Sequence, residues 1–428
     1  MVRMPHWPQP VWNKHLTLGL ERLKIVLQSL DNPQNKMPNV IHFAGTNGKG
    51  STISFVRFIL EQMGKKVNVY TSPHLIRFNE RMVIENKEIE DGYLFELMEQ
   101  ARIAHEAQNI DLTFFEGSSI GAFLAFANSN ADYTLIETGM GGRFDATNTI
   151  ENKILTVITP ISLDHTDFLG NSLTLITKEK AEILRAEVPC IISQQYEEVL
   201  EELFNKVNLL QTNSFCFEYD YGIQYLENQY LFSSKNFSIT FPQPALQGEH
   251  QIINAATAVA TVINLPEKVT ENHIRQGLAS TKWIGRLQRL TTGSLANLLP
   301  NDKWQLWIDG AHNEAGAHIL SLWVQNTKQP VYIIGGLTKG RDIIKFFSFF
   351  KLENVKLIAA TYIENEPSSY NSEFLCSKLQ ELGFTSFYAN SIEEIIKTIV
   401  HKEPGIILAC GSLYLAGQVL QSNFGINY

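Results

Sequence analysis

The chain has 428 residues, 44% of them apolar, enough for about two or three domains with sizeable cores. Its 35 lysines and arginines against 44 aspartates and glutamates give a formal net charge of −9, which argues against nucleic acid as the main partner but leaves room for one local basic site facing an anion. Cys190, Cys216, Cys376 and Cys410 lie far apart with no CxxC pair or Cys/His cluster, so neither a zinc site nor a disulfide framework is expected, and reduced thiols point to the cytosol.

The opening Met1-Val-Arg-Met-Pro-His-Trp-Pro-Gln-Pro10 carries three prolines and no apolar core of signal-peptide length. Nowhere does an uninterrupted apolar run reach bilayer length, so a cytoplasmic chain without a membrane partner is expected. Leu16, Leu20, Leu23, Leu27 and Leu30 have helical spacing and predict a helix over 16–30.

Val40-Ile-His-Phe-Ala44 reads as a buried strand, broken by Gly45-Thr-Asn-Gly-Lys-Gly-Ser51 and followed by a helical pattern over 52–63. Strand, glycine-rich turn and helix make a phosphate cradle. Glycines let backbone N–H groups approach the anion, the helix N-terminus adds positive potential, and Lys49 reaches the outer phosphates. The strict P-loop pattern is not met, because Phe43 stands where its first glycine belongs and Gly50 separates Lys49 from the hydroxyl. A glycine-rich turn that binds nothing is the plain alternative.

Gly64 ends that helix, and 66–70 is the next strand of a parallel-sheet unit. It runs out at Thr71-Ser-Pro-His74, followed by Arg77-Phe-Asn-Glu-Arg81. Helices are predicted over 91–108 and 117–128, and a strand over 133–136 that ends at Glu137. The loop Gly139-Met-Gly-Gly-Arg-Phe-Asp-Ala-Thr-Asn148 comes next. A strand over 154–161 delivers Asp164 and His165, and a helix over 173–185 carries Lys180. Aromatic alternation over 215–241 reads as antiparallel hairpins flanking the sheet, and 249–264 as an Ala-rich helix.

Lys282-Trp-Ile-Gly-Arg286 marks the expected boundary, giving domains 1–285 and 286–428. Past it, strands over 304–308, 331–334, 355–360 and 405–410 alternate with helical segments. The fold class is therefore α/β: an N-terminal P-loop-type, mostly parallel sheet domain with flanking hairpins, plus a smaller C-terminal Rossmann-like α/β domain. Lys49, Ser72, Glu137, His165, Asp309 and Ser412 fall just past strand ends, where open parallel sheets place ligands. Two such edges facing each other across a hinge would enclose a cleft.

Residue by residue, the chemistry stays open. A magnesium ion bridging phosphates takes hard oxygen ligands, and Glu137 at the end of an apolar strand suits it. Ser72 before Pro73 reads alone as a turn residue, His165 as a hydrogen-bonded structural histidine, and Lys180 as a solvated cation. Arg143 and Asp145 read as a turn salt bridge, and Asp309-Gly-Ala-His-Asn313 as an N-cap run.

Taken together, the motifs are specific. Gly45 to Ser51, Thr71-Ser-Pro-His74 with Arg77 to Arg81, Glu137 to Asn148, Leu163-Asp-His165, Glu179-Lys-Ala181, Lys282 to Arg286, Asp309 to Asn313 and Gly411-Ser-Leu-Tyr414 run in one order over nearly the whole chain. In them the chain resembles the folylpolyglutamate synthase/dihydrofolate synthase family of the Mur ligase superfamily. The resemblance implies an ATP-dependent ligase that joins L-glutamate to a pterin carboxylate through an acyl phosphate. Its acceptor would be dihydropteroate, a reduced folate, or both.

It also implies that Gly48, Lys49, Gly50 and Ser51 hold ATP phosphates, while Asn254, Arg286 and Asp309 meet the nucleotide. Ser72, Glu137 and His165 would ligate Mg2+, and Lys180 would be carbamylated so that it reaches a second ion. Thr113, Phe114, Phe115 and Glu116, with Phe144, Asp145 and Ala146, would line the pterin site. His312 and Ser412 would place glutamate; Lys49, Lys180, His165, Asp309 and His312 are the residues it assigns to catalysis. Only small-molecule partners and a monomer are expected.

Some positions depart from the family pattern. Leu16-Thr17-Leu18 stands where members with dihydrofolate synthase activity often carry Ile-Asp-Leu, and Glu182 and Glu314 replace a glycine and a proline. The stretch 292–302 reads as an insertion. A cell-wall amino-acid ligase of the same superfamily would call for an additional N-terminal domain before the cradle. A P-loop kinase or NTPase, a different class, would leave the second α/β layer and the Asp309 motif without a task.

Overall fold

In the computed structural model, residues 6–8 and 19–425 are described. They fall into two compact units. One comprises the chain up to His74 with Phe78–Ala245 and Glu249–Lys282; the other comprises Leu75–Arg77, Leu246–Gly248 and the chain from Trp283 onward.

The first unit is built on an eight-stranded sheet. Its spatial order is Lys87–Glu88, Met82–Ile84, Val67–Tyr70, Tyr133–Glu137, Val40–Ala44, Lys153–Ile158, Cys190–Ile192 and Ser214–Cys216. Pairing is parallel except where the first two strands join at one edge. Val40–Ala44 lies inside the sheet with all five residues buried, which is why it reads as an unbroken apolar run and not as an alternation. On one face, Leu94, Leu97 and Met98 of the helix Asp91–Ala107 and Ile120, Phe123 and Phe126 of Phe114–Ala127 share a core with Tyr70 and Ile136. The helix Lys49–Gln62 is approached so closely by Glu271–Ser280 that a Cβ on Gly277 would come within 2.6 Å of the Ile59 backbone.

The second unit carries six strands in the order Gln288–Leu290, Gln305–Ile308, Ile406–Cys410, Val331–Gly335, Val355–Ala360 and Ser386–Tyr388. Only the first pairs antiparallel. Separate apolar clusters cover its two faces, the signature of a doubly wound sheet.

Several elements differ from the sequence expectation for identifiable reasons. Of the helix expected over 16–30, Glu21–Ser29 is helical, while Leu16-Thr17-Leu18 lies outside the described residues. The helix expected from 117 starts a turn earlier, at Phe114, because Thr113 and Glu116 form a reciprocal capping box. The helix with Lys180 stops at Ala181, where the carbonyls of Glu182, Ile183 and Leu184 turn to the side chains of Arg185 and Lys153. The strand expected to reach 161 ends at Ile158, and the Pro160 carbonyl accepts from Thr46 and Asn47 N–H instead.

Over 215–241 the antiparallel reading holds for Tyr221–Leu226, Gln229–Ser234 and Ser238–Phe241. Ser214–Cys216 instead extends the main sheet in parallel beside Cys190–Ile192. Both of those strands have three residues, too short to show a period. Over 292–302, a short 3-10 turn is held by Asn423, which donates to the Thr292 carbonyl and accepts from Leu295 and Ala296 N–H.

Candidate active site

The cradle is shaped by two glycines that no other residue replaces. Gly45 has φ +149° and Gly48 φ +84°, and a Cβ would lie 2.0 Å from Thr159 Oγ1 at the first and 2.4 Å from Asn254 Oδ1 at the second. Gly48 caps the helix Lys49–Gln62, so the first-turn amides point out of the helix toward the loop. The loop is anchored from the next strand end: Thr46 and Asn47 N–H donate to the Pro160 carbonyl at 3.0 and 3.2 Å, and the Thr46 hydroxyl to Ser162 at 3.0 Å. Gln251 donates to Ser51 Oγ at 3.3 Å and accepts from Asn254 at 3.0 Å, which puts Asn254 on the cradle rim.

Charge gathers around the Gly45 carbonyl, which accepts from both Lys49 Nζ at 3.1 Å and Lys180 Nζ at 2.8 Å. Glu137 is only 5% exposed, stands 3.8 Å from Lys49 and accepts the Ser72 N–H at 3.1 Å. Lys180 is buried, contrary to its reading as a solvated cation. Burial first and the Lys49 charge second bring its amine down to about 7, against the opposing pull of Asp164 and Asp145. His165 adopts φ +50°, with its ring nitrogen 4.0 Å from the Asp164 carboxylate and its own N–H on that group at 2.8 Å.

Among the described residues no group of three or more His, Cys, Asp or Glu side chains is arranged to hold a metal. A cation here would draw on Ser72, Glu137 and few other side chains. That donor set suits a hard divalent ion that keeps water and phosphate oxygens in its shell.

Of the two segments expected at the pterin site, Thr113–Glu116 packs against the start of the loop whose later part holds Phe144, Asp145 and Ala146. The Phe115 ring lies over Gly139, where a Cβ would come within 2.5 Å of it, and stacks on Tyr70 at 5.9 Å. Phe114 takes the Arg81 guanidinium on its face at 5.2 Å. Arg81 also donates to His74 Nδ1 at 2.8 Å, and burial with the Arg81 charge pulls His74 down to about 3. Glu116 is turned to the Thr113 N–H and to Arg22.

In the loop after Glu137, Phe144 is 44% exposed while Asp145 and Ala146 are buried. Arg143 and Asp145 do not form the salt bridge that the sequence suggests. Arg143 pairs with Glu179 at 3.3 Å and Glu182 at 3.8 Å, whereas Asp145 faces inward and accepts from Met140 and Thr147 N–H at 2.8 and 3.0 Å. Backbone donors sit inside the loop, so the carboxylate turns to them.

In the second unit, Asp309 accepts Leu287 and Ala311 N–H, each at 2.7 Å, one on each oxygen. His312 Nδ1 lies 2.9 Å from the Gly310 carbonyl. Asn313 caps the helix Glu314–Asn326, as the N-cap reading expects, and Ser412 caps Leu413–Phe424. Arg286 covers Gly310, where a Cβ would stand 2.4 Å from its guanidinium.

Sequence reasoning passed over Gln251, Asp164, Arg81 and Thr147. Asp164, Arg81 and Thr147 lay inside quoted motifs and were within reach; Gln251 stands one helical turn before Asn254, which is a usable signal.

Comparison with known proteins follows the same outline. The family description "Mur ligase middle domain" matches residues 43–262, and "Dihydrofolate synthetase, C-terminal domain" matches residues 294–422. The chain is 30% identical over 420 residues to a probable dihydrofolate synthetase of Schizosaccharomyces pombe, covering 94% of this chain and 98% of that one. It is similar to the structure of Escherichia coli FolC in complex with DHPP and ADP (TM-score 0.84, 28% identity, covering 96% and 94%). It is also similar to a Yersinia pestis bifunctional folylpolyglutamate synthase/dihydrofolate synthase complexed with AMPPNP and Mn ion (TM-score 0.84, 26% identity, covering 96% and 95%).

Proposed function

The chain belongs to the folylpolyglutamate synthase/dihydrofolate synthase family of Mur ligases, and on that premise we propose how its residues divide the work. It is an ATP-dependent acid–amino-acid ligase that joins L-glutamate to a pterin carboxylate, converting dihydropteroate to dihydrofolate, extending a reduced folate, or both. The observation that carries the reading is the convergence of Lys49 and Lys180 on the Gly45 carbonyl with Glu137 3.8 Å from Lys49. A half-buried and a buried amine beside a carboxylate, at the mouth of a glycine loop, form an arrangement built to receive a polyphosphate.

Gly48, Gly50 and Ser51 present backbone and hydroxyl donors to the phosphates, and Lys49 offsets charge on the group being transferred. Asn254 meets the nucleotide from the rim, and Arg286 and Asp309 are the second unit's proposed contribution. Phe114, Phe115 and Phe144 offer flat apolar faces to a heterocycle, with Thr113, Glu116, Asp145 and Ala146 setting the backbone that carries them. His312 and Ser412 are proposed to place glutamate.

ATP phosphorylates the acceptor carboxylate, the glutamate amine attacks the acyl phosphate, and inorganic phosphate leaves with the C–O bond that breaks. A divalent ion is proposed to be held by Ser72, Glu137 and His165, and when bound it would supply charge neutralisation at phosphate oxygens. Among the described residues no helix is long and apolar enough to cross a membrane.

Lys180 is proposed to be carbamylated. Its amine is buried beside Lys49 and sits near 7, so a large share is neutral at physiological pH. The neutral nitrogen adds to dissolved carbon dioxide, one N–H proton leaves to solvent, and the product is an anion that relieves the repulsion from Lys49. The intact mass of the native protein should exceed that of the acid-treated protein by one CO2, and Lys180→Ala should abolish the difference along with most activity. Full activity in Lys180→Ala would reject the role.

The assay for the reading as a whole supplies ATP, magnesium and labelled glutamate with dihydropteroate in one tube and tetrahydrofolate in another. Incorporation is expected in at least one; incorporation in neither would reject the ligase reading.

A further inference from the structure

His42, the third residue of the cradle strand, is completely buried in a run that is otherwise apolar. Its Nε2 lies 2.8 Å from Thr147 Oγ1, and the Thr147 hydroxyl lies 2.5 Å from Asp145 Oδ1. The groups hydrogen-bonded to Asp145 are donors: the Thr147 N–H and hydroxyl on one oxygen and the Met140 N–H on the other. They call for an acceptor-only carboxylate, so the single hydroxyl proton of Thr147 goes to Asp145. The hydroxyl must then accept from His42, which fixes the ring as the Nε2–H tautomer. Burial, and after it the charges of Lys153 and Arg185, hold that ring neutral.

The other ring nitrogen, Nδ1, is buried with no partner among the described residues. Such an atom is a standing cost that an apolar residue at this place would avoid. The histidine is therefore explained by what its other nitrogen does.

We propose that His42 and Thr147 are positioning residues that fix the loop 139–149, and with it Phe144, in register with the strand that carries the phosphate cradle. The proposal rests on the ligase reading, which assigns this loop to the acid substrate. The relay runs from the cradle strand through Thr147 to Asp145, which staples the loop's two limbs by holding Met140 and Thr147 together. The cradle has its own anchors in Pro160 and Ser162. Cutting the relay thus lets the acid-substrate loop shift while Gly45 to Ser51 keep their shape.

The experiment measures steady-state constants of the full chain with ATP, magnesium, glutamate and whichever acceptor the wild type uses. Thr147→Val should raise the acceptor KM about tenfold while the ATP KM stays within about twofold, and Thr147→Ser should restore wild-type values. His42→Leu should match Thr147→Val, and the double variant should be no worse than the poorer single one. Should Thr147→Val fail to fold, His42→Phe, which keeps a flat ring while removing the Nε2 donor, carries the same expectation. An unchanged acceptor KM, an equal rise in both KM values, or no rescue by serine would overturn the proposal. A wild type inactive with either acceptor would instead overturn the ligase reading, so the two failures are distinct.

Discussion

At the C-terminal ends of its strands the first sheet gathers Lys49, Glu137 and Lys180 into one cluster, with Glu137 and Lys180 buried and Lys49 half-buried. At the corresponding ends of the second sheet, Asp309, Asn313 and Ser412 accept hydrogen bonds from their own backbone neighbourhood. The architecture is shared, but the electrostatics are not. Two amines converging on one carbonyl form a donor-rich site for an anion, while an aspartate holding two N–H groups shapes a turn whether or not a ligand arrives. A parallel sheet edge is thus a place where function is easily built, and the side chains decide how much of it is binding and how much is scaffolding.

Breaking the cradle should give the largest effect. Gly48→Ala forces a Cβ toward Asn254 at a left-handed position, and kcat/KM for ATP should fall by about 100-fold or more in a coupled ADP-release assay. Gly340→Ala in the second unit, with φ +91° but open space around it, should cost only about 1 kcal/mol in chemical denaturation and leave turnover intact. Equal losses of activity in the two variants would erase the contrast.

Glu137→Gln keeps the shape and removes the charge. It should lower kcat by about 100-fold and raise the magnesium concentration needed for half-maximal rate, read from a metal titration of initial rates. Asp309→Asn sharpens the other side of the comparison. The amide has one acceptor oxygen for the two N–H groups of Leu287 and Ala311, so stability should drop by about 1–3 kcal/mol in urea melts. A larger fractional loss of kcat than of stability would support its proposed nucleotide role as well.

The smallest effect concerns the thiols. Burial pushes Cys190 and Cys216 up to about 12, so the thiolate fraction at pH 8 is on the order of 10⁻⁴. Alkylation of these two in the native protein should be very slow and become complete in denaturant. Rapid native labelling would show that the parallel edge around Cys190–Ile192 opens readily.

The cradle was legible because its chemistry is backbone chemistry. Gly45, Gly48 and Lys49 have to sit at fixed offsets between a strand and a helix, and sequence displays offsets. Lys180 was legible only through the resemblance, since helical spacing alone places a lysine in solvent; its burial comes from the Gly45 carbonyl, 135 positions away in the chain. His42 carried no signal at all, because a histidine inside an apolar strand looks like a satisfied core residue until Thr147 and Asp145 are seen beside it. In the fold, long periodic elements such as Asp91–Ala107 were clear, while the short Cys190–Ile192, Ser214–Cys216 and Gln288–Leu290 depend on pairing partners that no local pattern shows.

The most direct measurement of the central claim follows oxygen. With the acceptor carboxylate labelled in 18O, transfer of its oxygen through an acyl phosphate places one labelled atom in the inorganic phosphate released per glutamate joined, detectable by phosphorus NMR or mass spectrometry. That result is expected. Phosphate free of label, alongside normal product formation, would contradict an activated acid formed at this cradle.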